Sequence, residues 1–143
     1  MNPTMTTFGY PGTCIHESEH WAVLLRPRQP TLGSLILVAR SDAECFSDLP
    51  PEAFTELGLV IGAIERTLTN EFTYDKINYL MLMMVDRNVH FHVIPRYVDP
   101  RELGDVVIVD AGWPGPPDLK ACAALSDDAM QALAARLRQA WSG

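Results

Sequence analysis

The sequence predicts an α+β domain: an antiparallel β-sheet, one long helix packed on it and a C-terminal helical extension. Three observations predict it. Asn88, His90 and His92 alternate with Val89, Phe91 and Val93, and strict alternation marks a strand with one polar and one apolar face. Phe54, Leu57, Ile61, Ile64 and Leu68 recur at spacings of three and four, the period of an amphipathic helix. Residues 21–26 and 35–39 are short apolar runs separated by a turn bearing Pro27, Pro30 and Gly33, the pattern of paired strands.

The totals narrow the function classes. A chain of 143 residues with 48% hydrophobic and 20% charged residues can bury a proper core as one domain and is not disordered. Its net charge of −7 argues against a nucleic-acid or anionic-membrane partner. A small anionic ligand stays possible, because local arginines override a global field. Lysine occurs only at Lys76 and Lys120, so nine of the 11 basic residues are arginine, the better residue for planar phosphate recognition. Cys14, Cys45 and Cys122 are odd in number and lack a C-x-x-C spacing, which suggests reduced thiols and a cytoplasmic setting. Residues 1–12 show no signal-peptide pattern, and the longest apolar run, 79–85, is too short to span a bilayer.

Taken in order, residues 1–13 are rich in Thr, Pro and Gly and are expected to form a loose or edge-pairing arm. His16-Glu17-Ser18-Glu19-His20 spells H-E-x-x-H, which holds zinc when both histidines share a helix face. Here the following Trp21-Ala22-Val23-Leu24-Leu25 is β-like, so a polar turn entering a strand is the better reading. After the two strands, Pro50, Pro51 and Glu52 open a helix over 51–72, because proline is tolerated and acids are favoured in a first turn. Leu59 and Val60 widen its stripe, a weak hint of a second contact. Residues 76–85 read as a central strand whose Met81, Met83 and Met84 fill core, with Asp86-Arg87 a tight turn behind it. Trp113 lies among Pro114, Gly115, Pro116 and Pro117 in a long connection, as a lid or as a strap on the core. Ser126 caps a last helix with Met130, Leu133 and Leu137 on one face.

The chemistry concentrates at 88–96. Asn88, His90 and His92 form one polar row, with the two histidines about 6–7 Å apart at two strand rises. Pro95 marks the strand's end or an edge, and Arg96 follows, facing a phosphate or pairing with Asp86 or Asp99. An unprotonated imidazole is a nucleophile near neutral pH if it is exposed and its other nitrogen is oriented. His90, central in the row, meets the positional requirement. Two core histidines with satisfied hydrogen bonds are the bland alternative.

The run Asn88-φ-His90-φ-His92-φ-φ-Pro95-Arg96 resembles the His-φ-His-φ-His-φ-φ pattern of the histidine triad (HIT) nucleotide hydrolases and transferases. The resemblance spans about residues 21–97 and implies a single HIT-like domain with its core at about 14–98 and an extension over 99–143. It implies His90 as nucleophile of a covalent nucleotidyl-histidine intermediate at an α-phosphate and His92 as a phosphoryl contact, with no metal or cofactor required. It further implies a small-molecule nucleotide substrate and a homodimer. Asn88, Arg96, Arg26 and Ser34 are the candidate substrate-binding residues. Asn88 stands at the family's first triad position, Ser34 where a further histidine is common, and Arg26 where Asp or Asn is common. Asn88 cannot shuttle a proton, so slower hydrolysis, or a preference for leaving groups of low pKa, is expected. The 86–87 turn leaves no room for the family's longer phosphate loop. Two other classes stay open. A metal site would use His90 and His92 with His16, His20 or Asp86 as a third ligand, and a nucleotide-binding module would have lost catalysis.

Overall fold

A computed structural model describes residues 1–142. The elements are α1 (Pro3–Thr7), β1 (Cys14–Glu17), β2 (Trp21–Leu25), β3 (Leu35–Ala39), α2 (Pro51–Phe72), β4 (Lys76–Leu80), β5 (His90–Arg96), β6 (Arg101–Leu103), β7 (Val106–Ile108) and α3 (Asp127–Ala140). The first five strands form one antiparallel sheet in the order β1-β2-β3-β5-β4, and β6 and β7 form a separate hairpin. The expected α+β architecture, with its long helix and C-terminal helix, is the one observed.

Side-chain alternation gives the sheet two different faces. Trp21, Val23, Leu25, Leu35, Leu37, Ala39 and Val93 point to the large core under α2 and α3. There the Trp21 indole N–H donates to the Ala53 carbonyl at 2.8 Å, which fixes α2 over β2. Ala22, Leu24, Ile36 and Val38 point the other way and pack with Met5 of α1. His92 pairs with Ile36 and His90 with Val38 across β3 and β5, so both histidines lie on this second face.

The helix α2 begins and ends where the sequence says it does. Pro51 opens it, and Thr73 in a left-handed conformation (φ 48°) closes it, its N–H bonded to the Thr69 carbonyl. Most of the expected stripe holds, with Ile64, Leu68 and Val60 buried and Leu57 and Ile61 packed partly on the core, but smaller residues share it. It runs through Ala53, Val60, Ala63, Ile64, Thr67, Leu68 and Phe72, while Phe54 is exposed at its edge beside Phe46 and Leu59 is 73% exposed. Small residues at 53 and 63 let the helix sit close to the sheet, which turns the bulkier 54 outward. Gly33, at φ +83°, is required where it stands: a Cβ there would lie 2.9 Å from the Phe72 ring.

Three expectations are corrected. Residues 76–85 are not a central strand: β4 stops at Leu80 and is the sheet's edge, and the chain then runs irregularly through 81–89. Met83 takes a positive φ of 48°, which no strand continues through, and Met84 is 84% exposed rather than core filler, although Met81 and Met83 do lean on the core. The tight turn at Asp86-Arg87 is thus one part of a long connection. The arm is not loose either: Asn2 caps α1 by accepting the Met5 N–H at 2.9 Å, Pro3 sits in its first turn, and Met5 is buried. Pro95 does mark an edge, as expected: it lies one residue before the end of β5, opposite Ile77 and past the last β3–β5 pair at Leu35 and Val93, where only β4 flanks it.

Candidate active site

The two imidazoles stand side by side on β5, their ring centroids 5.1 Å apart. Alternation puts them on one face; β3 pairs with the strand at both histidines and β4 at His92, so the pair sits on rigid backbone. The Nδ1 of His90 lies 2.7 Å from the Asn88 carbonyl oxygen. A carbonyl only accepts, so Nδ1 carries the hydrogen, and in the neutral ring Nε2 keeps its lone pair. His92 has a buried Nδ1 with no hydrogen-bond partner. Burial first, then the neighbouring His90 and the Arg26 guanidinium, push its pKa down to about 4, so it is uncharged at neutral pH.

Arg26 extends the same face from the end of β2, and its Nε is likewise buried without a partner. One terminal nitrogen donates to the Arg28 carbonyl at 2.7 Å. Arg26 and His92 are therefore two polar groups on one face, each with hydrogen-bonding capacity unspent, next to an oriented imidazole.

Other expected site residues are engaged elsewhere. Ser34 is 0% exposed inside the 31–34 turn, where its hydroxyl donates to the Thr31 carbonyl at 2.8 Å, so it does not line the histidine face. The chain needs that bond because the turn's backbone is buried. Arg96 is buried and pairs with Asp110, neither Asp86 nor Asp99: its Nε donates to one carboxylate oxygen at 2.7 Å and a terminal nitrogen to the other at 3.1 Å. Further bonds reach Asn78 and the Gly115 carbonyl, both at 2.8 Å, with Trp113 stacked 5.9 Å from the guanidinium carbon. The Trp113 segment is thus a strap tied to the strand through Arg96. Asn88 spends its side chain on Thr4, accepting from the Thr4 N–H at 3.2 Å and hydroxyl at 3.0 Å, and donates to the Asp42 carbonyl at 3.1 Å.

The expectation of a solvent-facing nucleophile is also corrected. His90 is 1% exposed and His92 8%. The Phe8 ring closes over both, 5.9 Å from His90 and 6.0 Å from His92. Composition hid this cover, although Asn2 followed by Pro3 is a helix-start signal that could have exposed it. His16 stacks on Trp141 at 4.7 Å on the α3 side and His20 sits against Glu19 and Glu56, so neither joins the pair on β5. Among the described residues, the one trio of potential metal ligands is Glu19, His20 and Glu56, where Glu56 already accepts from the Ser18 hydroxyl and the His20 N–H. The H-E-x-x-H spelling falls on β1 and a turn, so its zinc geometry is absent.

The HIT domain model matches residues 9–99. Among solved structures, a histidine triad protein from Marinobacter aquaeolei VT8 superposes with a TM-score of 0.70 at 25% identity, covering 90% of this chain and 87% of that one. One from Sinorhizobium meliloti 1021 gives 0.69 at 25% identity over 94% and 98%. A hypothetical histidine triad nucleotide-binding protein from Sulfolobus tokodaii strain 7 gives 0.70 at 15% identity over 96% and 88%, a likeness of fold. No curated protein matches the chain. With well over half its length matched and its imidazole pair where the pattern requires it, the chain belongs to the HIT domain family.

Proposed function

We propose that this protein binds a nucleotide against the His90–His92 face and hydrolyses or transfers it at the α-phosphate through a nucleotidyl-histidine intermediate. The observation that carries this reading is the 2.7 Å bond from His90 Nδ1 to the Asn88 carbonyl, which leaves Nε2 as the nucleophile. Nε2 attacks the α-phosphorus, forming an N–P bond, and the P–O bond to the leaving group breaks with its electron pair leaving on oxygen. Water or an acceptor then cleaves the N–P bond and restores the imidazole. Arg26 and the neutral His92 are the free donors nearest that phosphorus and take up its growing negative charge. Asn88 contributes its carbonyl, and Arg96 holds the strap beside the face rather than the phosphate. This chemistry does not strictly require a metal.

The homodimer belongs to this proposal too: β4 is an open sheet edge and Leu59 stays exposed on α2. Light scattering of the purified chain checks it. A cytoplasmic location is proposed from the cysteine pattern alone; no helix among the described residues is long and apolar enough to cross a membrane.

The experiment is a single-turnover incubation with an α-radiolabelled nucleotide. An acid-labile adduct that disappears in His90→Ala is the expected result. The sealing of His90 favours one rival, a module that binds nucleotide without chemistry, and tight binding with no adduct would establish that rival instead.

A further inference from the structure

The first residues of the chain are docked where substrate has to go. Asn2 is 1% exposed, and its amide donates to the Ala39 carbonyl at 2.7 Å and the Ser41 carbonyl at 2.8 Å. Thr4 meets Asn88 three times: its N–H and its hydroxyl donate to the Asn88 side-chain oxygen, and its hydroxyl accepts the Asn88 N–H at 3.2 Å. Met5 fills a small apolar patch, and Phe8 covers both imidazoles.

We infer that residues 2–8 are an in-chain gate over the histidine pair and that Asn88 is the positioning residue that latches it. Its side chain holds Thr4 while its backbone oxygen holds His90 Nδ1, so one residue joins the closing of the site to the orientation of the imidazole. The gate is built to release. A helix of five residues has no stability of its own and persists only through what it docks on. On its outer flank an open cleft of about 640 Å³, lined by Pro3, Thr7, Asp86 and Arg87, lies beside the Thr4–Asn88 bonds, so the packing to be broken on that side is slight beyond those bonds. Among the described residues Phe8, half-buried, is the one aromatic ring over the pair, and it leaves with the segment. The effect on turnover rests on the reading given above, whereas the covering of His90 does not.

Histidine acylation by diethylpyrocarbonate, mapped by mass spectrometry on the whole chain, tests the gate without requiring catalysis. His90 should react about tenfold or more slowly than the partly exposed His20, as expected when the open state is about 10% populated or less. Thr4→Val, which removes the latching hydroxyl, and Phe8→Ala, which removes only the covering ring, should each raise His90 acylation several-fold with circular dichroism unchanged. If Thr4→Val unfolds, Phe8→Ala gives the same reading. Acylation of His90 as fast as His20 in the parent chain, or unchanged in the folded variants, would overturn the gate. Faster acylation without any nucleotidyl adduct keeps the gate and sinks the hydrolase reading. An adduct with unchanged acylation does the reverse.

Discussion

Arg96 and Asp110 form a two-pronged ion pair with side chains only 5% and 2% exposed, at the point where the Trp113 strap crosses the end of β5. Removing one partner strands the other charge in a dry site. Asp110→Ala should therefore cost about 3–5 kcal/mol, read as a lowered urea midpoint, with Trp113 fluorescence shifting red as the strap loosens. Replacing both by apolar residues of similar size should recover much of that loss. A neutral single substitution would show that the strap is held by other means.

His92 sets a pH dependence. Its pKa falls from 6.5 to about 4 on folding, mainly through burial, so the unfolded chain binds the proton more readily. The stability it contributes is complete above pH 6.5 and is lost as pH falls through 4, on the order of 3 kcal/mol in all. Urea midpoints of the parent and of His92→Gln between pH 7 and 4.5 should diverge, with the variant losing the smaller amount. Parallel curves would mean that the ring is not held neutral.

Arg26 should govern binding more than folding. One side-chain nitrogen donates to a nearby carbonyl while its buried Nε waits for an acceptor. Arg26→Gln should weaken nucleotide binding by roughly 10–100-fold, the size of a hydrogen bond to a charged group, with the thermal midpoint little changed. Calorimetric titration of parent and variant decides this, and equal affinities would remove Arg26 from the site.

Asn88 carries no ionisable group, and its amide is committed to Thr4 and Asp42. No proton reaches the leaving group from that position. Turnover should fall steeply as the leaving group's pKa rises, by about 10²–10⁴ across the span that a general acid would have levelled. A series of substituted phenyl nucleotide esters measures the slope. A flat series would reveal an acid supplied from elsewhere.

The parts legible in the sequence were those with a period. Alternation from Asn88 to Val93 put both histidines on one face, and three-four spacing gave α2 its bounds. Apolarity without a period misled: residues 81–85 look like buried strand, yet Met84 and Val85 are exposed, because φ at Met83 turns the chain away from the sheet. The stripe on α2 was right at Leu57, Val60, Ile61, Ile64 and Leu68 but wrong at Phe54 and Leu59, because bulky residues were ranked over Ala53 and Ala63, which close approach favours. Partners distant in sequence left no trace at all. Nothing in Arg96 names Asp110, and nothing in Asn88 names Thr4, 84 positions away.

The sheet's unequal coverings have a dynamic consequence. One side is clad by a helix of 22 residues and another of 14, the other by a turn of helix, one aromatic ring and a strap. Local openings follow the thinner layer, so amide hydrogens of residues 4–8 should exchange with solvent well before those of β3 or α2. Opening of the thin layer would leave the opposite side intact, so exposure of the two histidines would not require global unfolding.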